Sequence, residues 1–141
     1  MNGDVRIRWG WLRAMYIYTL VGAGGFGFSM LAWPGRLQSL LGFPAQDPAT
    51  FKLYGSILLG AGLAAIPALR FPLKFLALLP LQVIYKPVWI VLAAMPFFLR
   101  GQFPLYIVTI TAVFLIYIFG DIIAIPWSYL FSKTERAAES R

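Results

Sequence analysis

The sequence predicts an all-α integral membrane protein: a four-transmembrane-helix bundle, up-down-up-down, with both termini cytoplasmic. Three observations carry that expectation. Hydrophobic residues make up 60% of the 141-residue chain and charged residues only 12%, with a mean hydropathy of +0.77. Average soluble domains are roughly half apolar and a quarter charged. The few charges leave four long stretches almost free of them: 14–35 and 53–69 hold none, 75–99 holds only Lys86, and 101–132 holds only Asp121. About 20 apolar residues carry a helix across a bilayer, so each stretch fits one crossing. Along that path Arg6, Arg8, Arg13, Arg70, Lys74, Lys133, Arg136 and Arg141 share one side, while Arg36, Lys52 and Arg100 take the other. The richer side is expected to be cytoplasmic. The chain then reads as a single membrane domain over 1–141, with helices at about 10–33, 48–70, 74–99 and 104–131, an interfacial loop at 34–47 and a polar tail at 132–141.

The first span is bracketed by Trp9 and Trp11 on one side and Trp33 on the other. From Trp11 to Trp33 a helix rises roughly 33 Å at about 1.5 Å per residue, the separation of two aromatic belts. Arg6, Arg8 and Arg13 also resemble the basic region of a signal peptide, but the apolar run is long and no A-x-A-like site follows, so a retained helix is expected. In the loop, Leu37, Leu40, Leu41 and Phe43 predict a short interfacial helix. Asp47-Pro48 reads as an N-cap followed by proline at the first helical position, opening the second span. Lys52 is placed to snorkel back to the interface, and Phe71-Pro72 ends that helix. The third span carries Pro80, Pro87 and Pro96, each of which removes a backbone donor. A turn at 100–104 leads into the fourth, whose charge-poor run exceeds one crossing. Tyr106 and Trp127 near its two ends read as interface anchors, and Pro126, Trp127 and Tyr129 predict that its end leaves the core at headgroup level.

The composition excludes much chemistry. With neither Cys nor His, the chain offers no disulfide, thiolate nucleophile, haem-ligating imidazole or Ser–His–Asp triad. Asp4, Asp47, Asp121, Glu135 and Glu139 lie far apart, so neither a metal site nor a cofactor is expected. The net charge of +7 is accounted for by topology, and nucleic acid is not an expected partner. The run GAGGFG at 22–27 matches G-x-G-x-x-G, but that motif binds phosphate only between a strand and a helix, and here it sits inside a span. Its small residues serve helix packing instead. Ala23 and Gly27, Gly25 and Ser29, and Ser56, Gly60 and Ala64 recur at intervals of four, which lets backbones approach in lipid. These stripes predict a seam between the first two spans, or an oligomer face.

Lys86 and Asp121 carry the strongest signal. A charge near the bilayer centre costs roughly 2.5–3.5 kcal/mol. Lys86 lies 12 residues beyond Lys74, and Asp121 lies 12 before Lys133, so the two occupy similar depth on neighbouring antiparallel helices. An ion pair is the leading expectation. Gln82, Lys86 and Trp89 share one helix face, Tyr117 shares another with Asp121, and Tyr85 borders the group. Tyr16 and Thr19 are candidates to face the same interior. A buried salt bridge fixing helix register and a proton, ion or ligand site are nearly balanced readings, with structure slightly ahead.

The runs WPGRLQSLLGFP at 33–44, QVIYKPVWI at 82–90 and GDIIAIPW at 120–127 resemble the small four-helix bacterial membrane proteins of the DoxX-like group. The resemblance implies a four-helix fold in the bacterial inner membrane and an association with quinone-linked membrane complexes, though this chain supplies no thiol. Three functions follow in order of expectation. The first is a non-catalytic accessory or lipophilic-ligand-binding module, with lipid, quinone or another lipophilic small molecule as ligand and a homo-oligomer or larger membrane complex as setting. The second is a small oligomeric transporter or channel-like protein using Lys86 and Asp121. The third is a membrane enzyme acting on a lipid-like substrate, for which no second acid or nucleophile converges, so the expectation leans away from catalysis.

Overall fold

A computed structural model describes residues 6–131. Asp4 and the expected tail at 132–141, with Lys133, Arg136 and Arg141, lie outside the described residues. Those described are helical, with no strand among them. Four helices are long and apolar enough to cross a membrane: α1 (Trp9–Ala32), α3 (Pro48–Arg70), α4 (Leu78–Leu99) and α5 (Leu105–Ala124). Two short helices accompany them, α2 (Pro34–Leu41) and α6 (Trp127–Leu130).

Local chemistry sets the boundaries. Pro34 opens α2 and Gly42, at φ 67°, closes it in the left-handed region, with the Phe43 N–H returning to the Gln38 carbonyl at 2.9 Å. Asp47 caps α3: its Oδ2 accepts from the Thr50 N–H and from the Thr50 hydroxyl, both at 2.7 Å, and Pro48 takes the first helical position. The third long helix starts at Leu78, later than the expected 74, because 71–78 is tightened into i→i+3 turns such as Lys74 N–H to Phe71 carbonyl at 3.1 Å. The fourth ends at Ala124, not near 131. Pro126 disfavours helical backbone at the residue before it; Ile125 is extended (ψ 122°) and α6 starts afresh.

The helices pack antiparallel along three seams. In α1 against α3, Gly27 meets Gly55 while Gly24 meets Gly62. In α1 against α5, Met15 meets Gly120 while Gly22 meets Tyr117. In α4 against α5, Phe97 meets Tyr106 while Trp89 meets Phe114. Thus α1 and α5 lie centrally and α3 and α4 flank them. The core runs through Leu12, Met15, Tyr16, Ala65, Leu79, Tyr117 and Ala124. Tyr106 is half-buried and packs on Phe43 at 4.7 Å, which ties the loop after α2 to the start of α5.

The α1–α3 seam differs in register from the expected stripes. Ala23 and Gly27 are buried, and a methyl at Gly27 would collide with the backbone of Gly55 and Leu59. Opposite them, however, stand Gly55 and Gly62, and a methyl at Gly62 would meet Gly24 Cα. Ser56 and Gly60 are exposed and Ala64 is half-buried, so that face is rotated off the seam. Gly25 is exposed as well, and the hydroxyl of half-buried Ser29 donates to its carbonyl at 2.9 Å. Burying backbone against backbone recovers the dispersion contacts that side chains would otherwise provide.

Candidate functional site

The interior of the α1–α4–α5 junction holds four of the five buried polar or charged side chains among the described residues, the fifth being Thr111. Lys86 is 1% exposed, Gln82 2%, and Thr19 and Asp121 0%. Lys86 Nζ donates to Gln82 Oε1, one turn earlier on α4. Gln82 Nε2 donates in turn to Thr19 Oγ1 on α1 at 3.3 Å, and the Thr19 hydroxyl donates to the Met15 carbonyl at 2.8 Å. A chain of hydrogen bonds therefore runs from the ammonium on α4 to the backbone of α1. The ammonium also stands over three rings: Tyr117 at 3.5 Å from the centroid, Tyr85 at 5.1 Å and Phe114 at 5.6 Å. A desolvated cation over an aromatic face gains about 2 kcal/mol or more.

Tyr117 serves a second purpose. Its hydroxyl donates to the Tyr18 carbonyl at 3.0 Å and accepts from the Ala23 N–H at 3.1 Å. Those two backbone groups are five residues apart, and the hydroxyl is inserted between them. Helix α1 is widened to π geometry over Leu20–Gly24, where the inserted oxygen requires it. Gly22 provides the room, since a Cβ there would stand 2.7 Å from that hydroxyl. A second π segment, Ile90–Ala94 in α4, precedes Pro96. There Met95 N–H reaches back to the Ile90 carbonyl, which relaxes the helix where the proline ring would crowd it.

Asp121 differs from the expected ion pair. Both its carboxylate oxygens are buried without a hydrogen-bond partner. Lys86 and Asp121 are both buried in this interior, but the ammonium makes its contacts with Gln82 and Tyr117, one turn from Asp121 on α5. Similar depth does not fix a contact: the lysine side chain turns back one helical turn to Gln82 and lies over the Tyr117 ring.

Of the other expected members, Tyr85 borders the group at 37% exposure, and Trp89 joins it through Phe114, ring centroids 5.2 Å apart. Tyr16 is fully buried and its hydroxyl donates to the Pro72 carbonyl at 2.7 Å, fastening α1 to the turn between α3 and α4. Phe114 and Gly22 are members that sequence reasoning missed. Phe114 lies seven residues before Asp121 and hence on its face, a signal present in the spacing. Among the described residues no three His, Cys, Asp or Glu side chains come together to hold a metal ion. No protein family matches the chain, and neither a curated protein nor a solved structure is similar enough to it to count as a match.

Proposed function

We propose that the chain is a four-span module of a lipid bilayer, without catalytic chemistry, whose interior charges hold helix register, and which works as an accessory or lipid-binding component. The observation that carries this reading is the closed route of the buried hydrogen bonds: Lys86 to Gln82 to Thr19 to the α1 backbone, with the ammonium capped by Tyr117. Each side chain of that route donates to a protein acceptor, as in a structural network. Membrane insertion is supported by the outward faces of α3 and α4, where Leu53, Ile57, Leu63, Ile84, Val88 and Leu92 are exposed, a pattern suited to hydrocarbon and not to water. The Lys/Arg asymmetry supports cytoplasmic termini. The DoxX-like resemblance agrees with this four-helix arrangement in a bacterial inner membrane and supplies no activity.

A second reading, a small transporter, is favoured by one observation: the two unpartnered oxygens of Asp121 form a buried acceptor site that a proton or cation could visit. Reconstitution separates the two readings. Proteoliposomes holding the parent chain are expected to dissipate proton and potassium gradients no faster than empty liposomes. Flux in the parent that Asp121→Asn abolishes would overturn the first reading in favour of the second.

A further inference from the structure

The end of the bundle where α1 begins and α5 ends carries an open pocket of about 770 Å³. Its walls come from chain segments far apart in sequence: Arg6 and Arg8 ahead of α1, and Ile123, Pro126, Trp127 and Ser128 across the break between α5 and α6. Pro126 creates the concavity by turning the backbone out where a longer α5 would have continued. Trp127 is held in place, its indole N–H donating to the Ile122 carbonyl at 3.0 Å and its ring stacked on Phe131 at 6.3 Å. The pocket is amphipathic in the order a lipid would require. Ile122 and Ile123 present aliphatic surface along α5, and the rim carries two guanidiniums, an indole and a hydroxyl.

Charge fixes the sign of the occupant. Neither guanidinium has an ion-pair partner among the described residues: Asp47 caps α3 at the opposite end of the bundle, and Asp121 is sealed in the interior. Helix α1 begins directly after Arg8 with no side-chain cap, so the positive end of its dipole adds to theirs. We propose that this pocket binds an anionic phospholipid. The Arg6 and Arg8 guanidiniums engage the headgroup phosphate, Trp127 and Ser128 sit at the glycerol level, and an acyl chain runs down Ile122 and Ile123. The proposal rests on α1 and α5 crossing a bilayer.

Native mass spectrometry from mild detergent, with dioleoyl phosphatidylglycerol and dioleoyl phosphatidylcholine in equimolar competition, tests it. The parent is expected to retain phosphatidylglycerol preferentially. Arg6→Gln/Arg8→Gln, which alters two exposed side chains, is expected to bind it roughly 30-fold more weakly with unchanged phosphatidylcholine binding and unchanged melting temperature. Equal phosphatidylglycerol binding by parent and variant overturns the proposal, as does a parent without preference. Displacement of the lipid by millimolar inorganic phosphate would mark a free-anion site and overturn the lipid assignment. Binding that appears only in Glu135→Gln/Glu139→Gln would mean that the chain's own acidic residues fill the pocket, which also overturns it. A parent that stays dispersed without detergent defeats the membrane reading itself, an outcome distinct from all of these.

Discussion

The seam between α1 and α3 and the junction of α1, α4 and α5 join helices by opposite means. The first removes side chains: Gly24 and Gly27 meet Gly62 and Gly55 so closely that a methyl would strike backbone. The second adds them, filling the space with Tyr117, Phe114, Gln82, Lys86 and Asp121 and binding them through hydrogen bonds and a cation over aromatic rings. Helix α1 takes part in both, its π segment at Leu20–Gly24 lying between the two partners. The contrast teaches where each joint is brittle. A seam of glycines tolerates no added volume because its neighbours are backbone atoms that cannot rotate away. A junction of large side chains fails instead on the loss of a partner, which strands a charge or a donor in a dry interior.

That difference can be broken experimentally, and the largest effect belongs to the glycine seam. Gly27→Val is expected to destabilise the fold by about 3 kcal/mol or more, measured by denaturant unfolding in detergent, since the new atoms must displace the backbone of α3. Tyr117→Phe comes next, at about 1–3 kcal/mol, because the Tyr18 carbonyl and Ala23 N–H lose the hydroxyl that bridges them. Amide exchange at Ala23 should accelerate with it, and unchanged exchange would mean that the hydroxyl does not maintain the π segment.

Outside both joints, the Asp47 cap should respond to pH. Its hydrogen bonds with Thr50 hold the carboxyl below its ordinary value of 3.8. The cap therefore stabilises α3 fully above pH 3.8, and that contribution is lost as pH falls through the lower, folded value. The Thr50 amide resonance should titrate in that range, and in Asp47→Ala the titration should vanish. The smallest effect is expected at Gly60→Ala, where nothing lies within 4 Å of the new methyl. A change within about 0.5 kcal/mol distinguishes this exposed face from the Gly24–Gly62 contact.

The spans were legible because their signal is aggregate: long apolar runs with charges at their ends survive any local irregularity. The contact register was not. Ser56, Gly60 and Ala64 satisfy the four-residue spacing as well as any true seam, whereas Gly55 and Gly62, seven apart with bulky Leu58 and Leu59 between, do the packing. Small residues are abundant on several faces of α3, and only the partner helix selects among them. Lys86, Gln82, Tyr117 and Asp121 were recognisable as one interior group because isolated polar residues in apolar spans must face inward. Their pairing was not, because position along a helix does not say which way a long lysine side chain turns, and Nζ goes to Gln82 and the Tyr117 ring. The insertion of Tyr117 into α1 was hidden as well, since a five-residue widening of a helix leaves no fixed residue pattern, although Gly22 marks the space it needs.

Lys86 and Asp121 are expected to stabilise the junction jointly although no hydrogen bond links them. A double-mutant cycle with Lys86→Met and Asp121→Asn, read by unfolding in detergent, tests it most directly. Each single change is expected to cost about 3 kcal/mol by stranding the opposite charge, and the double change less than either. Costs that add to within about 0.5 kcal/mol would contradict the account, because the two charges would then be independent.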